Sequence, residues 1–204
     1  MSDLFCAATL VVARHADAEY VETWFSDEGG TLTTLGRKQA LELGDSLASA
    51  RISRVWCSDS SRAVQTAELA ASRLGTGVVA RKELREIGIG DLLGKPFDVE
   101  AVRAVTDRWA DGDLDARFTG GESGRDVVDR YRDQLGAIAD QHRGETVLVV
   151  AHESAACVAL TTLAGNVAPP YDDRLRRLRN GETAVLMLDA DGGRLLRWGD
   201  LSLD

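Results

Sequence analysis

The chain has 204 residues, with 24 Lys+Arg against 33 Asp+Glu and a formal net charge of −9. Its 44% of hydrophobic residues is ordinary for a globular protein and excludes disorder along the whole chain, and the apolar runs are too short for a membrane-spanning helix. The acidic balance argues against nucleic-acid binding, which needs a basic face, but allows a small anionic substrate in a locally positive pocket.

In chain order, residues 9–13 form a short, partly β-branched apolar run, predicted to be a buried strand. Ala40, Leu43, Leu47 and Ala50 then fall on one helical face. A weaker strand at 55–57 precedes a helix with the stripe Val64, Ala67, Ala71 and Leu74, and 78–80 reads as another short strand. Residues 86–122 are rich in Gly and Asp, with one helix around Val102, Val105 and Trp109, and look like an excursion over a sheet edge. A third stripe (Val128, Tyr131, Leu135, Ile138) leads to the strongest strand, 146–151, and a fourth (Ala156, Leu160, Leu163) follows it. Residues 165–182 carry Pro169, Pro170 and the basic cluster Arg174, Arg176, Arg177 and Arg179, predicted to be a solvated loop or short helix face. The runs 184–188 and 195–198 read as a hairpin turning at 191–193. Strands alternating with helices predict one α/β domain over 1–204, its sheet covered on both faces. The start of the chain lacks the pattern of a secretory signal, and Cys6, Cys57 and Cys157 are too scattered for a disulfide framework. A reduced, cytoplasmic protein is expected.

Several motifs fail on inspection. The stretch 88–95 has Ile89 and Pro96 where a Walker A loop needs Gly and Ser or Thr. His152-Glu153 does not complete a zinc helix, because position 156 is Ala. Gly121-Glu122-Ser123 ends on Arg125 rather than the Gly of a nucleophile elbow. Cys57 to Arg62 is one residue too short for a cysteine-phosphatase loop.

The histidines are more informative. Of three, His15 and His152 immediately follow the two best strands, where parallel α/β sheets bind ligands. His142, on a polar helix end, reads as solvated. Arg14 adjoins His15, and Arg62 follows the cap-like cluster 58–61, in the first turn of a helix whose N-terminus favours anions. Two arginine forks beside two imidazoles suit phosphoryl transfer. One neutral imidazole attacks phosphorus, the other donates to the transferring oxygens, fixed cations supply the charge without a metal, and a carboxylic acid protonates the leaving oxygen.

Arg14-His15-Ala16, the run 32–40 (LTTLGRKQA), Ser58 with 62–67 (RAVQTA), 84–90 (LREIGIG), 120–123 (GGES) and 149–152 (VVAH) occur in this order. Together they resemble the histidine phosphatase superfamily, in its phosphoglycerate-mutase-like branch, over residues 9–188. The resemblance implies a three-layer α/β/α sandwich with a mostly parallel central sheet, no cofactor or metal, and a small phosphorylated metabolite as partner. It also implies a phosphohistidine on His15, phosphoryl binding by Arg14, Arg62 and His152, and proton donation by Glu86. The short link from 87 to 120 suits a metal-independent phosphomonoesterase. The alternatives are a phosphoglycerate-type mutase and a catalytically impaired phosphate-binding pseudoenzyme. The family usually has Gly after each catalytic His, whereas this chain has Ala16 and Glu153. Glu153 is expected to turn outward and cap the helix that starts there; in the other branch an acidic residue at this place is the acid, which makes Glu153 a rival to Glu86. Trp24, Phe25, Trp109 and Phe118 are candidates for an apolar mouth, though each also suits plain packing.

Overall fold

The computed structural model describes residues 6–19, 23–26, 30–168, 175 and 177–203. Strand β1 (Ala8–Arg14) leads through α1 (Thr34–Ser46) to β2 (Ile52–Ser58), and α2 (Ser61–Leu74) leads to β3 (Val78–Arg81). A long passage containing α3 (Val99–Ala110) precedes α4 (Gly124–Gln141), β4 (Thr146–Ala151) and α5 (Glu153–Leu163). The chain ends in β5 (Thr183–Asp189), β6 (Gly192–Trp198) and the two-residue β7 (Leu201–Ser202). The sheet order is β3-β2-β4-β1-β5-β6-β7. β3, β2, β4 and β1 run parallel, and β5 to β7 extend the sheet antiparallel beyond β1. The expected sandwich is thus present, with its parallel half holding the first four strands. The expected hairpin is β5–β6, its turn one to two residues earlier than the glycines suggest.

Strand alternation divides the core in two. Leu10 and Val12 of β1, with Val147 and Val149 of β4, face α4 and α5; Tyr131, Leu135, Ile138 and Leu160 pack there, fully buried. Val11, Ala13, Leu148 and Val150 face the other way, onto Leu43, Ala63, Ala67 and Ala70 of α1 and α2. The small residues on α2 let it lie close to α1. At Gly44 an added Cβ would sit 2.6 Å from the Ala70 carbonyl oxygen.

His142 departs from expectation. It is mostly buried at the end of α4, where Trp56 Nε1 donates to its Nε2 at 3.2 Å and its Nδ1 donates to Glu145 at 2.8 Å. It ties α4 to β2, a long-range contact with no local signal. Trp109, a candidate for the mouth, is instead fully buried, its indole N–H donating to the Ala116 carbonyl at 2.8 Å. Pro169, Pro170, Arg174 and Arg176 lie outside the described residues.

Gly44→Val should separate α1 from α2 and lower stability by about 1–3 kcal/mol, as overpacking does. Gly136→Ala, where an added methyl meets nothing within 4 Å, should instead stabilise α4 by about 0.5–1 kcal/mol. Urea midpoints moving in opposite directions at constant slope are the expected observation.

Candidate active site

β1 and β4 are parallel neighbours, Arg14 level with Ala151, so His15 and His152 leave the sheet side by side. The helix after β1 covers one face and the helix after β4 the other, which opens a crevice between the two strand ends. Both imidazoles are almost fully buried, with ring centroids 5.3 Å apart. Arg62, in the first turn of α2, lies between them. Its Nε donates to His15 Nε2 at 3.1 Å and its Nη2 to His152 Nδ1 at 3.1 Å.

These contacts fix both tautomers, because a guanidinium only donates and a carbonyl only accepts. His15 Nδ1 carries the proton and donates to the Ala16 carbonyl at 2.8 Å, leaving Nε2 with a lone pair. His152 carries its proton on Nε2, shared between the hydroxyls of Ser58 (2.9 Å) and Ser60 (3.1 Å). Ser60 stands at the N-cap of α2, as its sequence suggested, but its hydroxyl serves His152 rather than the helix. Burial, with Arg62 and Arg14 nearby, lowers His15 to about 4 and His152 well below the usual value. Both rings are neutral at pH 7. The folded state binds the His15 proton less readily than the unfolded chain, so this site favours folding above about pH 6.5 and loses that contribution as pH falls toward 4.

The motif residues outside the site hold the loop after β1 in place. Thr66 Oγ1 accepts from the Ala16 amide at 3.0 Å, Gln39 Oε1 from that of Asp17 at 2.8 Å and Gln65 Oε1 from that of Leu32 at 3.2 Å. Thr33, the N-cap of α1, donates to Asp17 at 2.6 Å. Asn180 donates to the His15 carbonyl at 2.9 Å. Sequence reasoning missed Asn180; the turn-forming Asn180-Gly181 pair before β5 was its signal.

Arg14 reaches the same place from β1. Its Nη1 donates to the Leu178 carbonyl at 2.9 Å and lies 3.4 Å from Glu153, while its buried Nε has no hydrogen-bond partner among the described residues. Glu153 corrects the expectation. It does not turn outward: its side chain is 12% exposed and is paired with Arg14 and, at 3.2 Å, with Arg177. Burial pushes its carboxyl above the usual 4.5, against the pull of both arginines.

The start of α5 is capped from afar by Glu86, whose carboxylate accepts from the amides of Ala155 (2.7 Å), Ser154 (3.2 Å) and Ile87 (3.0 Å). Arg130 holds the segment that carries Glu86, donating to the carbonyls of Glu83 (2.7 Å), Arg85 (2.8 Å) and Glu86 (3.1 Å) and pairing with Glu122 at 2.6 Å. Glu122 in turn accepts from the Gly88 amide at 2.6 Å. Gly90, at φ +54°, packs so closely on residues 119–121 that a Cβ would come within 2.3 Å of their backbone. Arg130 was not singled out from the sequence, where it is one arginine among many on a polar helix.

Arg62, His152, Glu86 and Glu153 line one end of a cavity of about 1450 Å3, and His15 lies one contact deeper, behind Arg62. An entering phosphoryl group must draw the guanidinium off His15 Nε2. Cys57 is no rival nucleophile: it is fully buried and burial pushes its thiol to about 12.

The family model of the histidine phosphatase superfamily (branch 1) matches residues 10–201. The chain belongs to this superfamily. It is 28% identical over 208 residues to phosphoglycerate mutase-like protein 4 of Arabidopsis thaliana, covering 96% of this chain and 86% of the relative. It is 30% identical over 151 residues to a probable phosphoglycerate mutase, GpmB, of Salmonella choleraesuis, covering 73% and 69%. Among solved structures, a mycobacterial glucosyl-3-phosphoglycerate phosphatase superposes with a TM-score of 0.78 at 26% identity, over 95% of this chain and 99% of that one. YhfR of Bacillus stearothermophilus superposes with a TM-score of 0.77 at 25% identity, over 97% and 99%.

Arg62 and Glu153 should have opposite effects on a bound oxyanion. Arg62→Ala should weaken inhibition by vanadate roughly 10–100-fold, the loss of a charge-assisted contact. Glu153→Gln should strengthen it roughly threefold or more, by removing a carboxylate that competes for Arg14. Inhibition constants measured at one pH and ionic strength check both.

Proposed function

We propose that the chain is a metal-independent phosphatase that hydrolyses a small phosphomonoester through a phosphohistidine on His15. The observation that carries this reading is the fixed tautomer of His15: a neutral imidazole whose Nε2 lone pair meets Arg62 and lies beside His152. In this reading 1–204 acts as one histidine phosphatase domain, with 86–122 as its cover over the site.

Arg14 and Arg62 receive the phosphoryl oxygens, and His152 donates to them once the anion has displaced its present contacts. His15 Nε2 attacks phosphorus while the P–O bond to the alcohol breaks, and Glu86 gives the leaving oxygen its proton. Water then attacks phosphorus, Glu86 takes its proton, the P–N bond breaks and His15 leaves neutral. Glu86 is preferred over Glu153 as the donor because no arginine pairs with its carboxylate among the described residues, whereas Glu153 is held by two; its amide contacts at the start of α5 must loosen as it takes up the proton.

Hydrolysis is preferred to mutase chemistry because the link from 87 to 120 is short and the cavity beside the histidines is wide. A mutase must shield its phosphohistidine until a second substrate hydroxyl arrives. The similar mycobacterial structure is named a phosphatase, while GpmB is named a probable mutase. That second name makes isomerisation of 3-phosphoglycerate the reaction to exclude.

The wild type should release phosphate from p-nitrophenyl phosphate in EDTA and carry acid-labile phosphate after rapid quenching. His15→Ala should stay folded and lose both. 3-Phosphoglycerate should not yield 2-phosphoglycerate, with or without 2,3-bisphosphoglycerate; efficient conversion would replace the phosphatase reading by the mutase one. Glu86→Gln should slow alkyl phosphates by roughly 10²–10⁴-fold and p-nitrophenyl phosphate far less, since that phenolate leaves without a proton. Glu153→Gln should show no such dependence on the leaving group, and the reverse pattern would move the acid to Glu153.

A further inference from the structure

The phosphoryl end occupies little of the cavity. About 1450 Å3 exceeds the roughly 300–1,000 Å3 common for small-molecule sites, so the rest of the space is left to the alcohol half of the ester. Its wall away from the histidines is built by two segments distant in sequence. The strip 23–26 pairs with 94–97: the Phe25 amide donates to the Lys95 carbonyl at 2.9 Å, the Gly94 amide to the Phe25 carbonyl at 2.9 Å and the Phe97 amide to the Thr23 carbonyl at 3.0 Å. This clasp sets the Phe25 and Phe97 rings 5.0 Å apart. With Ile87, Leu93, Val102 and Phe118 they line the cavity. Phe97 is 57% exposed and Leu93 41%, a cluster of solvent-facing apolar side chains at one mouth.

The charges in the cavity point the same way. Beyond Arg62, four arginines line it, and each is paired with a carboxylate: Arg85 with Asp59, Arg103 with Glu100, Arg130 with Glu122 and Arg177 with Glu153. Lys82 is the remaining cation of the lining, and Glu83 and Asp107 line the same space. Cations and carboxylates thus balance closely along the described lining.

We infer that the alcohol half of the substrate is bulky and apolar, an aryl or long alkyl group seated between the 23–26 clasp and α3. The inference rests on the phosphatase reading for turnover, but the binding site it describes can be tested without turnover.

The probes are ethylphosphonate and hexylphosphonate, which carry the same headgroup and cannot be hydrolysed. Titration calorimetry on the full chain should show the hexyl compound binding at least thirtyfold more tightly. Four added methylenes at up to about fourfold each allow this with room for incomplete burial. Phe97→Ala, a largely exposed position, should reduce the hexyl-to-ethyl ratio at least fivefold. Equal affinity for the two phosphonates overturns the inference, and a ratio unchanged in Phe97→Ala overturns its placement at the clasp. Hydrolysis of hexyl and ethyl phosphate, whose leaving groups are chemically alike, separates the two readings. Turnover without chain-length preference removes the apolar site and keeps the phosphatase. Tight hexylphosphonate binding without hydrolysis of either ester does the reverse.

Discussion

The site depends on one buried guanidinium held between two imidazoles. Arg62 is 8% exposed, and a cation so placed must find acceptors or destabilise the fold. His15 Nε2 and His152 Nδ1 provide them, and in doing so both rings are kept neutral with a lone pair turned to the arginine. In the proposed reaction the same contact sets the chemistry, since the His15 lone pair that accepts from Arg62 becomes the nucleophile once an anion draws the guanidinium away. The sheet makes the contact possible, since only parallel neighbours in register bring two residues so distant in sequence to adjacent strand ends.

Around this contact the molecule is a set of tethers. Thr66, Gln39 and Asn180 fix the loop that carries His15, and Arg130 fixes the segment that carries Glu86. Most tethers bind backbone groups, so they restrict the chain without adding charge to the cavity. Glu153 is the exception. It places a carboxylate between Arg14 and Arg177 and makes the arginines share themselves between a resident anion and an incoming one.

Much of this was legible in the sequence, for identifiable reasons. His15 and His152 were readable because each directly follows a strongly apolar strand, and Arg62 because a run of cap-forming residues marks the helix start before it. The helical stripes through Tyr131 and Leu135 proved to be core because burial and periodicity agree there. Glu153 was misplaced because local reasoning gives the first residue of a helix to its own dipole, whereas that position is taken by Glu86, 68 residues earlier in the chain than Ser154. Burial of His142 against Trp56 and the grip of Arg130 on the 83–86 backbone are likewise contacts between segments far apart, and neither leaves a periodic or spaced trace. The split of the aromatic candidates, with Phe25 and Phe118 on the cavity and Trp109 in the core, follows from how α3 packs, not from its composition.

The central claim is that His15, not water, attacks phosphorus first. The most direct measurement is the stereochemical course at phosphorus, using a phosphorothioate ester made chiral with 16O and 18O and hydrolysed in 17O-enriched water, so that the thiophosphate product is itself chiral. Two successive in-line displacements, onto His15 and then onto water, predict net retention of configuration in the product. Net inversion would mean a single displacement by water, and would contradict both the phosphohistidine and the His15 lone pair as nucleophile.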